Sequence, residues 1–336
     1  MARSNRKTAR RCSSFEYKKY FDNQEYKEDL LWRMTNVYSV IADHIDDSTT
    51  LPIPGIVKTY STSDGKQTQS DKFIPQGICR AGRFWLVTAY DAEKKCNSVV
   101  YAVDPDQKEL VSTIAVPNKY HAGGIAFDGE NIWLTGNTSG SYKGEPFLQY
   151  VKFDDFMKMT ETPLYTMSEE EISKPVYIKN TPSFLEYDDG IIWVGTYIGR
   201  FNTNESYLYG YKVIRDDDQT GLNTDYVKKI TGFDSSAQGA DIDGDYLYVS
   251  SSFQGSTVGV KTSFVTKYNI KPIKGRRKNL SVTDREVSRI EVPKMNEEIL
   301  IEDGKVHIVF ESASDTWRGA VIMTDRILAL DQSLWD

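Results

Sequence analysis

The residues with the most chemistry are three carboxylates close together in the chain: Glu297, Glu298 and, a strand and a turn further on, Glu311. Paired carboxylates can serve as acid and base, and cleaving a glycosidic bond takes two of them flanking the substrate. The other acids at comparable points of the sequence pattern are Glu186, Asp241 and Asp91. His121 stands just ahead of Gly123-Gly124. With Glu298 and Glu311 it could form a mixed nitrogen–oxygen metal site, but a lone imidazole more commonly hydrogen-bonds within a wall, so no metal site is assigned. Asp241-Ile-Asp243-Gly-Asp245 opens like a calcium loop. It departs from that pattern where Tyr246 replaces the required Gly and Ser252 the required Glu, so a tight Asp-Gly turn is the better reading. The chain has neither a Gly-rich phosphate cradle ending in Lys-Ser/Thr nor a Gly-x-Ser-x-Gly nucleophile turn. No cofactor is implied.

A repeat must position these residues. Five times a glycine turn leads into a short apolar run carrying a ring: Gly82 to Trp85, Gly129 to Trp133, Gly190 to Trp193, Gly244 to Tyr248 and Gly304 to His307. The ring residues lie 48 to 60 positions apart. Self-similarity at this period indicates a β-propeller with one blade per repeat, so the expected fold class is all-β, a five-bladed β-propeller. Before each glycine turn comes an inner strand rich in small residues, expected at 75–79, 122–126, 182–186, 238–242 and 297–301, because inner strands crowd at the axis. Third strands are expected at 98–103, 147–151, 207–211 and 264–268. Excess length falls at 154–178, 213–225 and 253–262, and propeller insertions tend to gather on a binding face.

Polar residues at the inner-strand ends face one another around the axis. That selects Gln76, His121, Ser183, Gln238, Glu297 and Glu298. The ends of the second strands add Tyr90, Asp91, Asn137, Tyr197, Ser252 and Glu311. Amides, hydroxyls, phenol rings and a few acids suit a polar small ligand such as a sugar. The plainer alternative is a water-filled channel.

Two units are expected: a basic tail and amphipathic helix over 1–50, and the propeller over 51–336. Leu30, Met34, Val37, Ile41 and Ile45 mark one apolar face of a helix from about Glu25 to Ile45, ended by Leu51-Pro-Ile-Pro-Gly55. His44 lies near its end, where a cation suits the helix dipole. The last repeat is one strand short, and residues 55–61 are the expected donor. The propeller would thus be closed by an N-terminal strand and preceded by an N-terminal α-helix.

Hydrophobic residues make up 39% and aromatic residues 12% of the 336, enough for a substantial core with a β leaning. The net charge is −7, yet residues 1–12 carry Arg3, Arg6, Lys7, Arg10 and Arg11 and no acid, so the body is the acidic part. An acidic body argues against nucleic acid as a partner. Lys271, Lys274, Arg276, Arg277 and Lys278 form a short basic linker that could touch an anion. Cys12, Cys79 and Cys96 show neither a disulfide framework nor a zinc pattern. No apolar stretch reaches the length of a membrane span, and no signal peptide is evident. The expected location is cytoplasmic, or exported if the chain is a module of a longer one.

Ile74-Pro-Gln-Gly-Ile78, Tyr120-His-Ala-Gly-Gly-Ile-Ala126, Thr181-Pro-Ser-Phe184, Ala237-Gln-Gly-Ala240 and Met295-Asn-Glu-Glu-Ile299 resemble the YVTN-like repeats of uncharacterised propeller proteins from Gram-positive bacteria. The resemblance covers about residues 50–336, implies a five-bladed propeller and carries over no catalytic residue. Such folds host unrelated functions. The expectation is a non-enzymatic module that binds a polar small ligand, possibly carbohydrate, or a protein partner at its loop-rich face. The alternative is a glycoside-type hydrolase using central carboxylates, with Glu298 and Glu311 as candidates.

Overall fold

A computed structural model describes residues 38–56, 59–136, 144–199, 206–216, 219–223, 225–252, 263–317 and 323–336. Five antiparallel sheets form the blades of a five-bladed β-propeller. From the axis outwards the first blade runs Phe73–Ala81, Phe84–Asp91, Val99–Asp104 and Glu109–Ala115. The second runs Ile125–Phe127, Asn131–Thr135, Phe147–Lys152 and Val176–Tyr177. The third runs Phe184–Asp188, Ile191–Gly195, Ser206–Asp216 and Lys228–Phe233. The fourth runs Ala237–Asp243, Tyr246–Ser251, Ser263–Asn269 and Glu286–Val292. The fifth runs Asn296–Glu302, Lys305–Phe310 and Arg326–Asp331, with Leu51–Pro52 paired antiparallel on its outer side. The inner strands contact one another in cyclic order around the axis.

The repeated glycine turn has a conformational reason. Gly82, Gly129, Gly190, Gly244 and Gly304 all have positive φ, between 56° and 91°, a region where a Cβ is disfavoured. The ring that follows each turn is buried: Trp85, Trp133, Trp193, Tyr248 and His307 all sit inside. His307 lies 4.5 Å from the Trp85 ring across the seam between blades five and one, so it is part of the packing.

Small residues on the inner strands answer to a tighter constraint. A Cβ on Gly124 would meet Leu185 N at 2.6 Å and Phe184 Cα at 2.7 Å. One on Gly123 would meet Ser183 O at 2.3 Å, and one on Gly239 would meet Glu298 Cα at 2.5 Å. Neighbouring blades therefore touch backbone to backbone near the channel mouth. Register shifts occur at the same point in three inner strands: between Pro75 and Ile78, Ala237 and Gly239, and Asn296 and Ile299. Such bulges bend the strand and re-aim its side chains.

Several expectations need correcting. The last blade is completed by Leu51–Pro52 and not by the described residues of 55–61. Thr59–Ser63 folds back on Lys66–Ser70 as a separate hairpin, turning at Asp64-Gly65, where both φ are positive as a tight hairpin turn requires. The expected inner strand at 122–126 begins only at Ile125. The helix expected over 25–45 lies mostly outside the described residues. Within the described part of that range only Ser39–Ala42 is helical, starting after Tyr38 and ending at Asp43, and Ile45 pairs with Leu330 instead, because the edge of Arg326–Asp331 offers it hydrogen-bonding groups. The insertion over 154–178 forms a helix, Phe153–Met159, and a strand, Leu164–Thr166, that pairs in parallel with blade one. In the same manner Asn279–Ser281, ahead of blade four's outer strand, pairs in parallel with blade three. The insertion at 213–225 extends a strand of blade three into a hairpin with Gln219–Leu222. Residues 253–262 lie outside the described residues. Cys79 and Cys96 are free thiols.

Gly124→Ala should lower unfolding free energy by about 1–3 kcal/mol, the usual cost of forcing atoms into a packed core. Gly221→Ala, where an added Cβ meets nothing within 4 Å, should be neutral or slightly stabilising. Urea unfolding of both variants checks the pair, and equal effects would refute the close-approach account.

Candidate functional site

In blades one, four and five the bulges place the second residue of the Pro-Gln-Gly-Ile-like segment at one end of the channel. They also free backbone N–H groups, which must find acceptors. Thr88 Oγ1 accepts from Gly77 N at 2.9 Å, and Thr135 Oγ1 accepts from Gly123 N and Gly124 N at 3.0 and 3.1 Å. In blade four the acceptor comes from the next blade: Glu298 Oε1 takes Ala240 N at 2.7 Å. Glu298 is thereby fixed in the seam between blades four and five, with its other oxygen unpartnered among the described residues.

At the mouth the remaining polar side chains join into one belt across four blades. Gln238 donates from Nε2 to Glu297 Oε1 at 3.0 Å. Glu297 and Glu311 lie close enough to act on each other's ionisation, and the Gln76 amide acts on Glu311 in the same way, while Glu311 Oε1 has no hydrogen-bond partner among the described residues. Gln76 Nε2 donates to Pro75 O at 2.8 Å, which sets its amide orientation. Its Oε1 faces His121 Nε2 at 2.6 Å. An amide oxygen only accepts, so His121 carries a proton on Nε2. The Tyr90 ring stacks on the imidazole with centroids 3.9 Å apart.

Burial in this wall disfavours charge. It holds Glu297 well above the ordinary carboxylate range, reinforced by neighbouring Glu311, while the Gln238 bond pulls the other way. Burial raises Glu311 to about 8, while nearby Trp317, Gln76 and Glu297 pull the other way. His121 is lowered to about 4, chiefly by burial and then by Lys94. Tyr90 is raised by burial and by the two acids. At neutral pH the belt is therefore made largely of uncharged donors and acceptors.

Deeper in the channel, acids from three successive blades lie within electrostatic reach of one another. Burial, with Asp241 and Glu298 nearby, raises Glu186. Burial raises Asp241 to about 7, although Ile301 N donates to it at 2.7 Å. Glu298 is raised well up by burial despite its backbone bonds. Cys79 is raised by burial and by Glu186 and Glu298. Among the described residues no group of three His, Cys, Asp or Glu is arranged to hold a metal.

Of the expected site residues, the structure brings together Gln76, Tyr90, His121, Gln238, Glu297 and Glu311. Ser183 and Tyr197 pair with each other at blade three, Tyr197 N donating to Ser183 Oγ at 3.0 Å. Ser252 is buried, its N–H bound to Ser236 O. Asp91 is committed to a loop, accepting from Lys95 N and Cys96 N at 2.9 Å each. Asn137 lies outside the described residues. Gly244 and Asp245 form the turn joining the first two strands of blade four. Trp317 beside Glu311 was not foreseen, because a lone Trp in a loop carries no repeat signal. A cleft lined by Tyr150, Lys152, Tyr165 and Glu171 lies on the outer rim of blade two, away from the belt.

Fold and site together define a five-bladed β-propeller with a polar, largely uncharged channel mouth. No protein-family model and no curated protein matches this sequence. Among solved structures the chain is similar to hydrazine synthase of Kuenenia stuttgartiensis, at 13% identity and TM-score 0.37, over 74% of this chain and 59% of that one. It is also similar to the computationally designed Ika8 protein, at 6% identity and TM-score 0.31, over 74% and 70% of the two chains. A third is the Pan2 WD40 domain of Neurospora crassa, at 9% identity and TM-score 0.37, over 80% and 82%. No helix among the described residues is long and apolar enough to cross a membrane.

The raised carboxyls make stability depend on pH. A group whose folded pKa exceeds its unfolded value contributes fully below the unfolded value, and that contribution is lost as pH rises through the folded one. Glu311 at about 8, Asp241 at about 7 and Asp325 at about 7 set the window. His121 and His307, both lowered to about 4, act in the opposite sense as pH falls below the ordinary histidine range. The carboxyls outnumber the two histidines, so the melting temperature should fall between about pH 5 and about pH 8.5. Glu311→Gln should flatten that fall. A melting temperature that holds or rises across this range would count against the buried neutral acids.

Proposed function

We propose that the channel mouth binds an uncharged, hydroxyl-rich small molecule of the carbohydrate type. The observation that supports this is the cluster of Gln238 on Glu297, neighbouring Glu311, and Gln76 on His121, with the Tyr90 ring stacked on the imidazole. Among the described residues the belt itself contains no Lys or Arg, and the cation acting on it, Lys94, lies outside it. A neutral polyol offers both donors and acceptors, which amides, an imidazole N–H, a phenol and a protonated acid can match. Pockets of this kind gain specificity from a few convergent polar groups.

The alternative reading, glycoside hydrolysis, needs two carboxyls on either side of the scissile bond. Glu297 and Glu311 neighbour each other in blade five, and Glu298 is engaged with the backbone of blade four. The belt therefore supports binding better than cleavage.

The test is thermal unfolding of the purified chain against panels of neutral sugars, sugar acids and nucleotides. A neutral sugar at about 100 times its dissociation constant should add about 2.7 kcal/mol. Gln238→Ala and His121→Ala should abolish that shift without a comparable loss of stability in the free protein. A shift produced only by charged ligands would sink the proposal. Release of reducing ends from a sugar that does bind would favour the hydrolase instead.

A further inference from the structure

The belt leaves unused a strip on the outer part of blade three. Tyr207 and Tyr209 alternate along Ser206–Asp216 and so share one face of the sheet. Their ring centroids are 4.7 Å apart, and Tyr226 stacks on Tyr209 at 4.2 Å. All three rings remain half-buried. Lys229, directly across the ladder from Tyr209, places its ammonium 5.4 Å from the Tyr209 ring and 5.7 Å from Tyr207. Lys278 lies 5.7 Å from Tyr226.

The basic linker joins this strip for a structural reason. Asn279–Ser281 pairs with blade three, and Lys229 N donates to Lys278 O at 2.8 Å. Lys228 Nζ reaches back to Ile273 O at 2.5 Å and Gly275 O at 3.4 Å, holding the preceding turn on the same blade. Arg276, Arg277 and Lys278 are exposed in the stretch that leads from this turn into Asn279–Ser281, with Lys278 over Tyr226. Among the described residues, Lys229, Arg276, Arg277 and Lys278 have no carboxylate within ion-pair distance. The nearby Asp225 is taken by Lys179 at 3.1 Å.

We propose that this strip of blade three, Tyr207, Tyr209 and Tyr226 interleaved with Lys229, Arg276, Arg277 and Lys278, binds single-stranded nucleic acid. Clustered cations alone would suit any polyanion. Stacked flat rings flanked by ammonium groups add a surface for flat bases beside a track for phosphates, the combination that sequence-tolerant single-strand binders use. In a duplex the bases are stacked and paired, so ring stacking selects the single strand. The acidic charge of the whole chain does not prevent this, because phosphate attraction is local and screened within about 10 Å at moderate salt.

The test uses the full chain and a fluorescent oligothymidylate of about ten nucleotides, a length within the usual site size. Anisotropy is followed from about 50 mM to about 200 mM salt, where affinity should fall linearly on logarithmic axes. The double variant Arg276→Gln, Arg277→Gln should reduce that slope by about 1–2. Tyr226→Leu, which keeps apolar bulk, should weaken binding about ten-fold at fixed salt. Cations in residues 1–12 contribute equally to every variant, so differences between variants are the readout. Inorganic polyphosphate, which has no bases, should bind with no response to Tyr226→Leu. His121→Ala should leave oligonucleotide binding unchanged, which separates this surface from the channel mouth. Absence of binding at low salt would overturn the proposal. So would binding indifferent to Tyr226→Leu and matched by polyphosphate, which would make the strip a general polyanion surface.

Discussion

Everything near the axis depends on how closely five inner strands can approach. Where Gly77, Gly123, Gly124 and Gly239 stand, the neighbouring backbone occupies the space of a side chain. That closeness forces the ladder to slip by a residue in three blades and leaves amides without sheet partners. Buried amides need acceptors, so Thr88 and Glu298 are drawn inward to supply them, as Thr135 is where the inner strand of blade two starts late. The polar character of the channel thus follows partly from packing. The side chains that remain, among them Gln76, Gln238 and Glu297, are those the bulge turns towards the mouth.

The distribution of charge separates inside from outside. Cations meet acids on the blade seams and rims: Arg215 with Asp128 and Glu130, Arg80 with Glu302, Lys274 with Asp188. None of these pairs neutralises Glu297, Glu298 or Glu311. A buried carboxylate without a cation is costly, and the group keeps its proton instead. The mouth consequently offers hydrogen bonds with little net charge, whereas the positive strip on blade three offers charge together with stacking rings.

Five glycine turns with rings behind them were enough to read the fold, because positive φ and ring burial recur identically in each blade. The candidate site was legible as far as repetition carried it. Gln76, Gln238 and Glu297 occupy the same repeat position and meet at the same end of the channel, with His121 immediately before the equivalent segment of blade two. What distinguishes Glu298 from Glu297 was not legible, since a bulge shifts the two-residue alternation that sequence reading relies on. The outer strand of the last blade was misplaced for a related reason. Leu51–Pro52 is too short to register as a strand, while 55–61 had the composition of one. The stacked tyrosines were invisible as a group because Tyr226 comes from beyond a hairpin, and only the sheet brings it to Tyr209.

The strands borrowed from the following repeat bear on how the ring assembles. Leu164–Thr166 finishes the edge of blade one and Asn279–Ser281 that of blade three, while the fifth sheet uses Leu51–Pro52 from the far end of the chain. As the chain emerges from its N-terminus, none of these three sheets can be completed by its own stretch of sequence. Each waits with an open edge for a segment synthesised later or held since the start. Such long-range pairing makes folding slow, and in the interval the unfinished edges are the points most open to mispairing with another chain. The same arrangement ties neighbours together once folding is done, because losing one blade removes a strand from the blade before it.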